Sequence, residues 1–315
     1  MGSSAGTPTR QRNVSALALQ HGPDRGWYLV DCGEGTQHQL LRTPLALARL
    51  QAIFITHLHG DHCLGLPGML ASASMEGRRA PLTLVAPAAT RQWVELALAA
   101  TDSELGFALQ WLDSDCEGFG WQDHSLSVST VRLSHRVACH GYVLSEARVE
   151  RQLDVDRLRA DRIPAGPAWG ALQKGEDIRL DDGRTLCADV YSPVLRSPRR
   201  VVVAGDNDQP ELLTDACKGA QLLVHEATYT QDVAERVGPA PGHSSAAAVA
   251  SFAESIKLPN LLLTHFSSRY QSHPKAKRHI REIALEAARH YRGGLWLARD
   301  FDHYHLGRDF KLWRE

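Results

Sequence analysis

One short segment, THLHGDHCLG (residues 56–65), concentrates the side chains best able to do chemistry. It places three histidines and one aspartate within six residues, namely His57, His59, Asp61 and His62. Polar groups packed this closely are costly to bury unless a cation or hydrogen bonds satisfy them. Imidazole nitrogens and carboxylate oxygens suit a divalent ion such as zinc. The segment therefore predicts a metal site.

Three further candidate ligands follow apolar runs elsewhere in the chain. His135 follows SVSTVRLS, Asp206 follows RVVVAG and His265 follows LLLT. Ligands at strand ends converge along one edge of a sheet, where open α/β folds commonly bind ligands. Seven nitrogen and oxygen groups are too many for one tetrahedral zinc and suit two ions that share a carboxylate. Such a pair of ions typically activates a water and stabilises a phosphoester displacement.

The elements that must position these groups are short buried strands alternating with amphipathic helices, which indicates an α/β fold. The QAIFIT run before the histidines is one such strand, and Gly60 permits the tight turn after it. The predicted strands are Trp27–Val30, Ala52–Ile55, Leu82–Val85, Leu126–Leu133, Arg200–Ala204, Leu222–Val224 and Leu261–Leu263. The predicted helices are Thr90–Ala100, Gln209–Lys218, Ser244–Ile256 and Pro274–Tyr291. Residues 145–200 break this rhythm, since they are charged and contain IPAGPAWG, and they fit either a disordered loop or a projecting arm.

Composition narrows the class of protein. The formal net charge of −1 means that any nucleic-acid surface must be a local patch. Six scattered cysteines without a C-x-x-C pair predict reduced thiols. We find no apolar stretch of about 18 residues and no secretory signal in MGSSAGTPTRQRN, so we expect a cytoplasmic protein without a membrane span.

With these residues in view, the chain resembles the tRNase Z family in its short bacterial form, within the metallo-β-lactamase superfamily. The matching segments run in the family's order and cover nearly the whole chain: PTRQRN, VDCGEGTQHQLL, THLHGDHCLGLPGML, LSHRVACHGY, IPAGPAWGALQKGEDIRLDDGR, AGDN, VHEATY, GHSS and THFSSRY. The resemblance implies one metallo-β-lactamase domain over residues 1–315, folded as a four-layer αβ/βα sandwich. It also implies an inserted exosite arm at residues 145–200.

The resemblance further implies how the metal ligands divide between two zinc ions, for which manganese or iron are alternatives. The first ion would be held by His57, His59 and His135, the second by Asp61, His62 and His265, with Asp206 bridging them. Asp61 would also be the general base, and Asp31 would orient a metal-binding histidine.

Glu226 in HEAT and His243 in GHSS match the acid pair of the family, in which the carboxylate orients a protonated imidazole. The alternative interpretation of GHSS is a helix start with Ser244 or Ser245 as the N-cap, and both can hold together. His225 more simply braces the structure.

For the substrate, the resemblance implies precursor tRNA, cleaved on its 3′ side by a homodimer. The substrate-binding positions that match are Arg10, Arg12, Asn13, Gly166, Pro167 and Arg269. Arg10 stands where the family usually has lysine. The family usually begins with a short apolar strand that MGSSAGT does not match, so we expect either that the start is assigned too late or that the sheet edge is trimmed.

Two other functions remain open from the residues alone. The first is a small-molecule phosphodiesterase or esterase on the same scaffold, which would need no arm to hold an RNA. The second is a non-catalytic RNA-binding relative, which intact ligands and an intact Glu226–His243 pair argue against.

Overall fold

The computed structural model describes residues 1–21 and 26–315. Its strands are β1 (Ser4–Ala5), β2 (Leu17–Gln20), β3 (Trp27–Val30), β4 (Leu50–Phe54), β5 (Leu82–Ala86), β6 (Leu109–Asp113), β7 (Gly120–Gln122), β8 (Leu126–Leu133), β9 (Cys139–Glu146), β10 (Ile178–Arg179), β11 (Thr185–Leu186), β12 (Arg200–Val203), β13 (Leu222–Glu226), β14 (Asn260–Thr264), β15 (Phe266–Ser267), β16 (Tyr270–Gln271), β17 (Arg278–His279), β18 (Gly294–Leu297), β19 (Tyr304–Leu306) and β20 (Leu312–Arg314).

The α-helices are α1 (Thr36–Leu40), α2 (Gly60–Cys63), α3 (Leu66–Met75), α4 (Ala89–Ala100), α5 (Val155–Ala160), α6 (Pro167–Gln173), α7 (Ala188–Tyr191), α8 (Gln231–Val237), α9 (Ala246–Ser255) and α10 (Arg281–His290). Two 3₁₀ helices span Leu47–Arg49 and Pro210–Leu213. No helix in the described part of the chain is both long enough and apolar enough to span a membrane.

Two sheets face each other at the centre of the fold. One has the strand order β2-β3-β4-β5-β6, and the other has the order β18-β14-β13-β12-β9-β8-β7. Apolar side chains of both sheets, such as Phe54 and Tyr142, pack between them. Helices α3 and α4 cover the outer face of the first sheet, and α9 and α10 cover that of the second. The four-layer sandwich predicted from the resemblance is confirmed.

Strand direction decides where the polar loops meet. Strands β3, β4, β5 and β6 run parallel to one another, as do β12, β13, β14 and β18. Strand β9 is antiparallel to both β8 and β12, so β8 runs in the same direction as β12. The carboxyl ends of these strands therefore lie at one edge of each sheet. The two edges together form the floor of the site.

The segment at residues 145–200 is folded rather than disordered. It contains α5, α6, the antiparallel pair β10–β11 and α7. Leu158, Ile163, Leu172 and Leu186 form a small buried core of its own. An isolated bridge between Arg151 and Val194 closes its base. A separate buried core favours the projecting arm, rather than the disordered loop, as the interpretation of this segment.

Several predicted elements are present with small shifts in their bounds, and β3 and β8 have the predicted bounds. The helix predicted over Gln209–Lys218 is wrong: the structure has the 3₁₀ helix Pro210–Leu213 followed by turns. The Thr214 hydroxyl donates to the Glu211 carbonyl at 2.6 Å, a local bond that competes with regular helix.

The predicted helix Pro274–Tyr291 begins late, at Arg281, because β17 occupies the preceding residues. The Glu282 carboxylate accepts from the backbone N–H of His279 at 2.7 Å and stabilises this start. Strand β9 was not predicted, since CHGYVLSE mixes polar and apolar residues. Burial between β8 and β12 overrides that weak local signal.

Candidate metal centre

The metal ligands predicted from the sequence converge in two groups at the carboxyl ends of the strands. One group is His57, His59, His135 and Asp206, and the other is Asp61, His62 and His265. Within each group the candidate ligand atoms all lie within 4.8 Å of one another. Both groups could therefore hold a metal ion. Their side chains come from positions up to 208 residues apart in the sequence.

The two oxygens of Asp206 face different groups. Oδ2 lies 3.7 Å from Nε2 of His57 and 3.8 Å from Nε2 of His135. Oδ1 lies 3.4 Å from Nε2 of both His62 and His265. The side chain is almost fully buried between them. This geometry matches a carboxylate that bridges two ions, as the resemblance implies.

Most of the histidines are held by their second ring nitrogen, which turns the first toward the centre. Nδ1 of His135 lies 2.8 Å from the Gly242 carbonyl, and Nδ1 of His57 lies 3.0 Å from the Thr56 hydroxyl. Nδ1 of His62 lies 2.7 Å from Oδ2 of Asp31. The predicted role of Asp31, orienting a metal-binding histidine, agrees with this contact.

Two residues of the centre adopt left-handed backbone conformations, with φ of 60° at Asp31 and 54° at His265. Such values are uncommon outside glycine and persist where the surrounding structure enforces them. Asp31 is fixed by the backbone N–H of Thr56, which donates to its Oδ1 at 2.8 Å. Asp31 thus bonds to the end of β4 and to the histidine in α2.

The ring nitrogens approach one another in a way that fits a shared cation. Nδ1 of His59 lies 3.1 Å from Nε2 of His57 and 3.0 Å from Nε2 of His135. A neutral imidazole has one acceptor nitrogen and one donor, so these three rings cannot all satisfy one another by hydrogen bonds. Burial, followed by the charge of His62, lowers the pKa of His57 well below its usual value. The neutral ring is the form that binds metals, so the donor set fits a divalent ion.

A second constellation lies beside the ligands. Nδ1 of His243 is 3.0 Å from Oε1 of Glu226, and it is 3.7 Å from Oδ2 of Asp206. Burial alone would lower the pKa of His243, but the Glu226 carboxylate and its hydrogen bond, with Asp206 and Asp61, raise it to about 9. The surrounding carboxylates thus favour the protonated imidazole. The pair can supply an acid.

The helix-start interpretation of GHSS is confirmed. Ser245 is the N-cap of α9, and its hydroxyl accepts from the backbone N–H of Ala248 at 3.1 Å. His243, two residues earlier, is thereby placed at the start of a fixed helix. His225 is fully buried, with Nδ1 2.8 Å from the Glu226 carbonyl and Nε2 3.2 Å from Asn207, and agrees with the bracing role.

A pocket of about 350 Å³ opens over the centre. Asp61 and His59 line it, together with Leu64 and Arg136. The backbone N–H of Gly6 donates to Oδ2 of Asp61 at 2.7 Å, so the N-terminal loop borders the pocket. A cavity of this size over a group of titratable side chains is the expected form of a substrate site.

The predicted substrate residues have different surroundings. Arg12 is buried, and its guanidinium donates to the backbone carbonyls of Ser267 and Tyr270, so here it fixes the loop after β14. The amide of Asn13 donates to the Glu34 carbonyl at 2.9 Å. Arg269 lies over the Tyr229 ring and donates to the Ser267 hydroxyl.

Three other predicted positions are solvent exposed. Arg10 belongs to the N-terminal loop. Gly166 and Pro167 start α6 in the arm. These positions are accessible to a macromolecule and do not line the pocket.

Sequence reasoning missed two threonines. Thr56 donates its hydroxyl to Asp31 at 3.0 Å, and Thr228 donates its hydroxyl to Glu226. The Thr228 hydroxyl also lies 3.1 Å from Nδ1 of His265, so it connects the acid pair to the metal ligands. The sequence feature that could have identified them is their position, one or two residues from a charged group at a strand end.

Comparison with known proteins decides the family. A family model described as the β-lactamase superfamily domain matches residues 26–266. A ribonuclease Z of Marinobacter nauticus is 56% identical over 99% of this chain and 97% of that protein. The chain belongs to the ribonuclease Z family. A second member of this family, from Pseudomonas putida, is 54% identical over 98% of this chain and 96% of its own length.

Solved structures agree with membership in the ribonuclease Z family. The human short-form tRNase Z superposes with a TM-score of 0.64 and 26% identity, covering 95% of each chain. A metallo-β-lactamase fold protein of Bacillus subtilis, at 17% identity and a TM-score of 0.65, shares the fold. The metallo-β-lactamase fold predicted for this chain is confirmed.

Proposed function

We propose that the protein is a metal-dependent endoribonuclease that cleaves precursor tRNA on its 3′ side, removing the trailer and leaving a 3′-hydroxyl on the tRNA. Membership in the ribonuclease Z family supports this proposal. The observation that carries it is the joining of two metal-binding groups through Asp206, with the Glu226–His243 pair beside them.

Two zinc ions are the proposed cofactors, with manganese or iron as alternatives. His57, His59 and His135 would hold one ion, and Asp61, His62 and His265 the other, while Asp206 would contribute one oxygen to each. When bound, such ions supply Lewis acidity that lowers the pKa of water and neutralises charge on phosphoryl oxygens.

Asp61 is the proposed general base. Its side chain lines the pocket, and Oδ2 is held by the Gly6 N–H at 2.7 Å and lies 3.3 Å from Nε2 of His265. Hydrogen bonds and charge from His265 and His62 overcome its burial and lower the pKa of Asp61, so the carboxylate is ionised. An ionised carboxylate at this position can accept the proton of an attacking water.

His243 is the proposed general acid. Cleavage that leaves a 3′-hydroxyl must deliver a proton to the departing 3′-oxygen. His243 lines the pocket, and the hydrogen-bonded carboxylate of Glu226 favours its protonated form. Glu226 holds Nδ1, which leaves Nε2 to donate to the substrate.

Precursor tRNA is the proposed partner, gripped by residues 145–200 acting as an exosite arm. The arm has its own core, so it can hold a fixed shape away from the sheets. It contains 11 Lys and Arg against 10 Asp and Glu, so the net charge is small and binding depends on where individual arginines point. The proposed assembly is a cytoplasmic homodimer in which the arm of one subunit delivers RNA to the pocket of the other.

The test is incubation of the purified protein with a 3′-extended tRNA precursor, with and without a chelator, followed by mapping of the new end. We expect one cut that releases the trailer and leaves a 3′-hydroxyl, and no cut after chelation. Trimming nucleotide by nucleotide, or full activity in chelator, would contradict the proposal.

A second variant tests the arm. Replacing residues 152–193 by a short Gly-Ser linker retains the bridged residues Arg151 and Val194 and leaves β9 and β12 intact. We expect precursor cleavage to be lost while hydrolysis of bis-p-nitrophenyl phosphate continues. If both activities survive, a small-molecule phosphodiesterase becomes the better interpretation.

A further inference from the structure

Charge is unevenly distributed in the pocket over the metal centre. Three carboxylates line it, those of Glu34, Asp61 and Asp206. Arg136 is the single lysine or arginine among its lining residues in the described chain. Bound metal ions would offset the charge of Asp61 and Asp206 but not that of Glu34. An RNA strand brings a negative phosphate with every nucleotide, so a cation in this lining can attract the RNA backbone.

Arg136 lies on the same side of the pocket as the proposed acid. It directly follows His135, and a Cβ added to Gly242 would be 3.7 Å from its Cγ. Gly242 in turn precedes His243. The guanidinium is therefore near the centre without being a ligand.

The side chain of Arg136 is exposed and uncommitted. Among residues 1–21 and 26–315, no carboxylate lies within ion-pair distance of its guanidinium. The other arginines near the centre differ. Arg12 is committed to backbone carbonyls, and Arg269 to the Tyr229 ring and a hydroxyl.

Glu34 lies beside a different part of the site. It follows Gly33, where an added Cβ would be 2.3 Å from the backbone oxygen of Asp61, so Glu34 is adjacent to the proposed base. The cation thus lies beside the acid in the fold, and the anion lies beside the base. This asymmetry distinguishes the two directions in which an RNA strand could lie.

We infer that Arg136 binds the phosphate on the 5′ side of the nucleotide whose 3′-oxygen departs, and so sets the direction of the RNA strand in the pocket. The inference rests on the proposed function, because the acid His243 must meet that 3′-oxygen. The nucleotide that carries this 3′-oxygen then lies along the side of the pocket that Arg136 lines. A guanidinium binds phosphate through paired hydrogen bonds, which fix orientation as well as position.

The test uses the metal-loaded protein and three variants: Arg136→Ala, Arg136→Lys and the control Arg132→Ala. Arg132 is also an exposed arginine of the β8–β9 hairpin, but it does not line the pocket. Each is assayed for precursor tRNA cleavage, for bis-p-nitrophenyl phosphate hydrolysis, and for inhibition of that hydrolysis by an RNA trinucleotide. The small substrate has one phosphate and the trinucleotide has two.

We expect Arg136→Ala to raise the KM for precursor tRNA and the inhibition constant of the trinucleotide about tenfold, as for loss of one charged hydrogen-bonded contact. Hydrolysis of the small substrate, which lacks the second phosphate, should change much less. The slope of log affinity against log salt should become less steep by about one, which a merely structural defect would not cause. Arg136→Lys should retain that slope and recover part of the affinity.

Three outcomes would overturn the inference: no change in Arg136→Ala, an equal loss with the one-phosphate substrate, or an equal effect in Arg132→Ala. If the unmodified protein hydrolyses the small substrate but leaves precursor tRNA intact, the proposed function fails. The trinucleotide inhibition constants then still decide whether Arg136 binds a neighbouring phosphate.

Discussion

His243 and Glu226 form a hydrogen-bonded pair beside the metal ligands, with Nδ1 of the imidazole 3.0 Å from Oε1 of the carboxylate. Glu226 is itself buried and accepts from the backbone N–H of Asn207 at 2.8 Å and from the Thr228 hydroxyl. The carboxylate is therefore fixed, and it fixes the ring in turn. An acid held in this way can be tested through the leaving group it serves.

Glu226→Gln should reduce kcat for precursor tRNA by about 100-fold or more, which is typical of losing general acid catalysis. The reason is that a glutamine no longer stabilises the proton on His243, whose pKa then falls. Hydrolysis of bis-p-nitrophenyl phosphate should fall much less, because nitrophenolate departs without a proton. Steady-state kinetics with both substrates measures the difference, and equal slowing would remove the acid assignment.

Asp61→Ala should nearly eliminate turnover, by roughly 100-fold or more, while binding of precursor tRNA stays close to normal. Fluorescence anisotropy measures the binding, and single-turnover cleavage measures the chemistry. Asp61→Asn is the matched control, since its amide oxygen can still accept from the Gly6 N–H and keep the loop in place. Substantial activity in Asp61→Asn would show that the residue serves as a structural acceptor and not as a base.

Asp31→Asn should weaken metal binding by about tenfold or more, in the range known for residues that orient metal-binding histidines. Asparagine tolerates the left-handed conformation at this position and can still accept from Thr56, so the fold should be retained. The substitution removes the negative charge that faces Nδ1 of His62 at 2.7 Å. Metal content after dialysis against a competing chelator is the measurement, and unchanged retention would contradict the role.

Glu146 supports a prediction about pH and stability at the base of the arm. Its buried carboxylate accepts from Arg196 and Arg199, including the backbone N–H of Arg199 at 2.7 Å. Burial alone would raise its pKa, but these bonds outweigh it and lower the pKa to about 2. Because the folded pKa is below the unfolded value, its contribution is complete above about pH 4.5 and is lost as the pH falls toward 2.

Glu146→Gln should lower the free energy of unfolding at pH 7 by about 3 kcal/mol, as expected when one partner of a buried pair is removed. The difference in unfolding free energy between the unmodified protein and this variant should narrow as the pH falls from about 4.5 to 2. Glu150→Gln is the control, since Glu150 pairs with Arg196 and Arg308 at a more exposed position and should cost less than about 1 kcal/mol. Urea unfolding at several pH values measures both, and a gap independent of pH would contradict the prediction.

Local patterns predicted much of the fold. Strand β3 is an apolar run that is buried throughout, and β8 mixes apolar and polar residues, of which Leu126, Val128 and Leu133 are buried. The predicted helix Gln209–Lys218 was wrong, because a side-chain bond of Thr214 and the turns after Leu213 replace regular helix there. Strand β9 was missed because its neighbours in the sheet, rather than its own residues, stabilise it.

The sequence likewise predicted one part of the candidate site and missed another. Residue type and position at strand ends singled out all seven side chains that the structure brings together, and the motifs of the family singled out the Glu226–His243 pair. The sequence did not reveal that Arg12 is buried against the loop after β14, or that Thr228 joins the acid pair to His265. Arg12 turns toward partners more than 200 positions away, and Thr228 contacts a ring 37 positions away, so a local pattern does not contain these partners.

The sequence by itself therefore determined the chemistry available to this protein, because residue types set which groups can ligate a metal, accept a proton or donate one. It also determined the α/β class, because apolar periodicity sets which segments become strands and helices. Only the tertiary structure decided that the two oxygens of Asp206 face different histidine groups, and that Arg136 and Glu34 line one pocket. Strand order and direction bring these residues together, and both arise from packing across the whole domain.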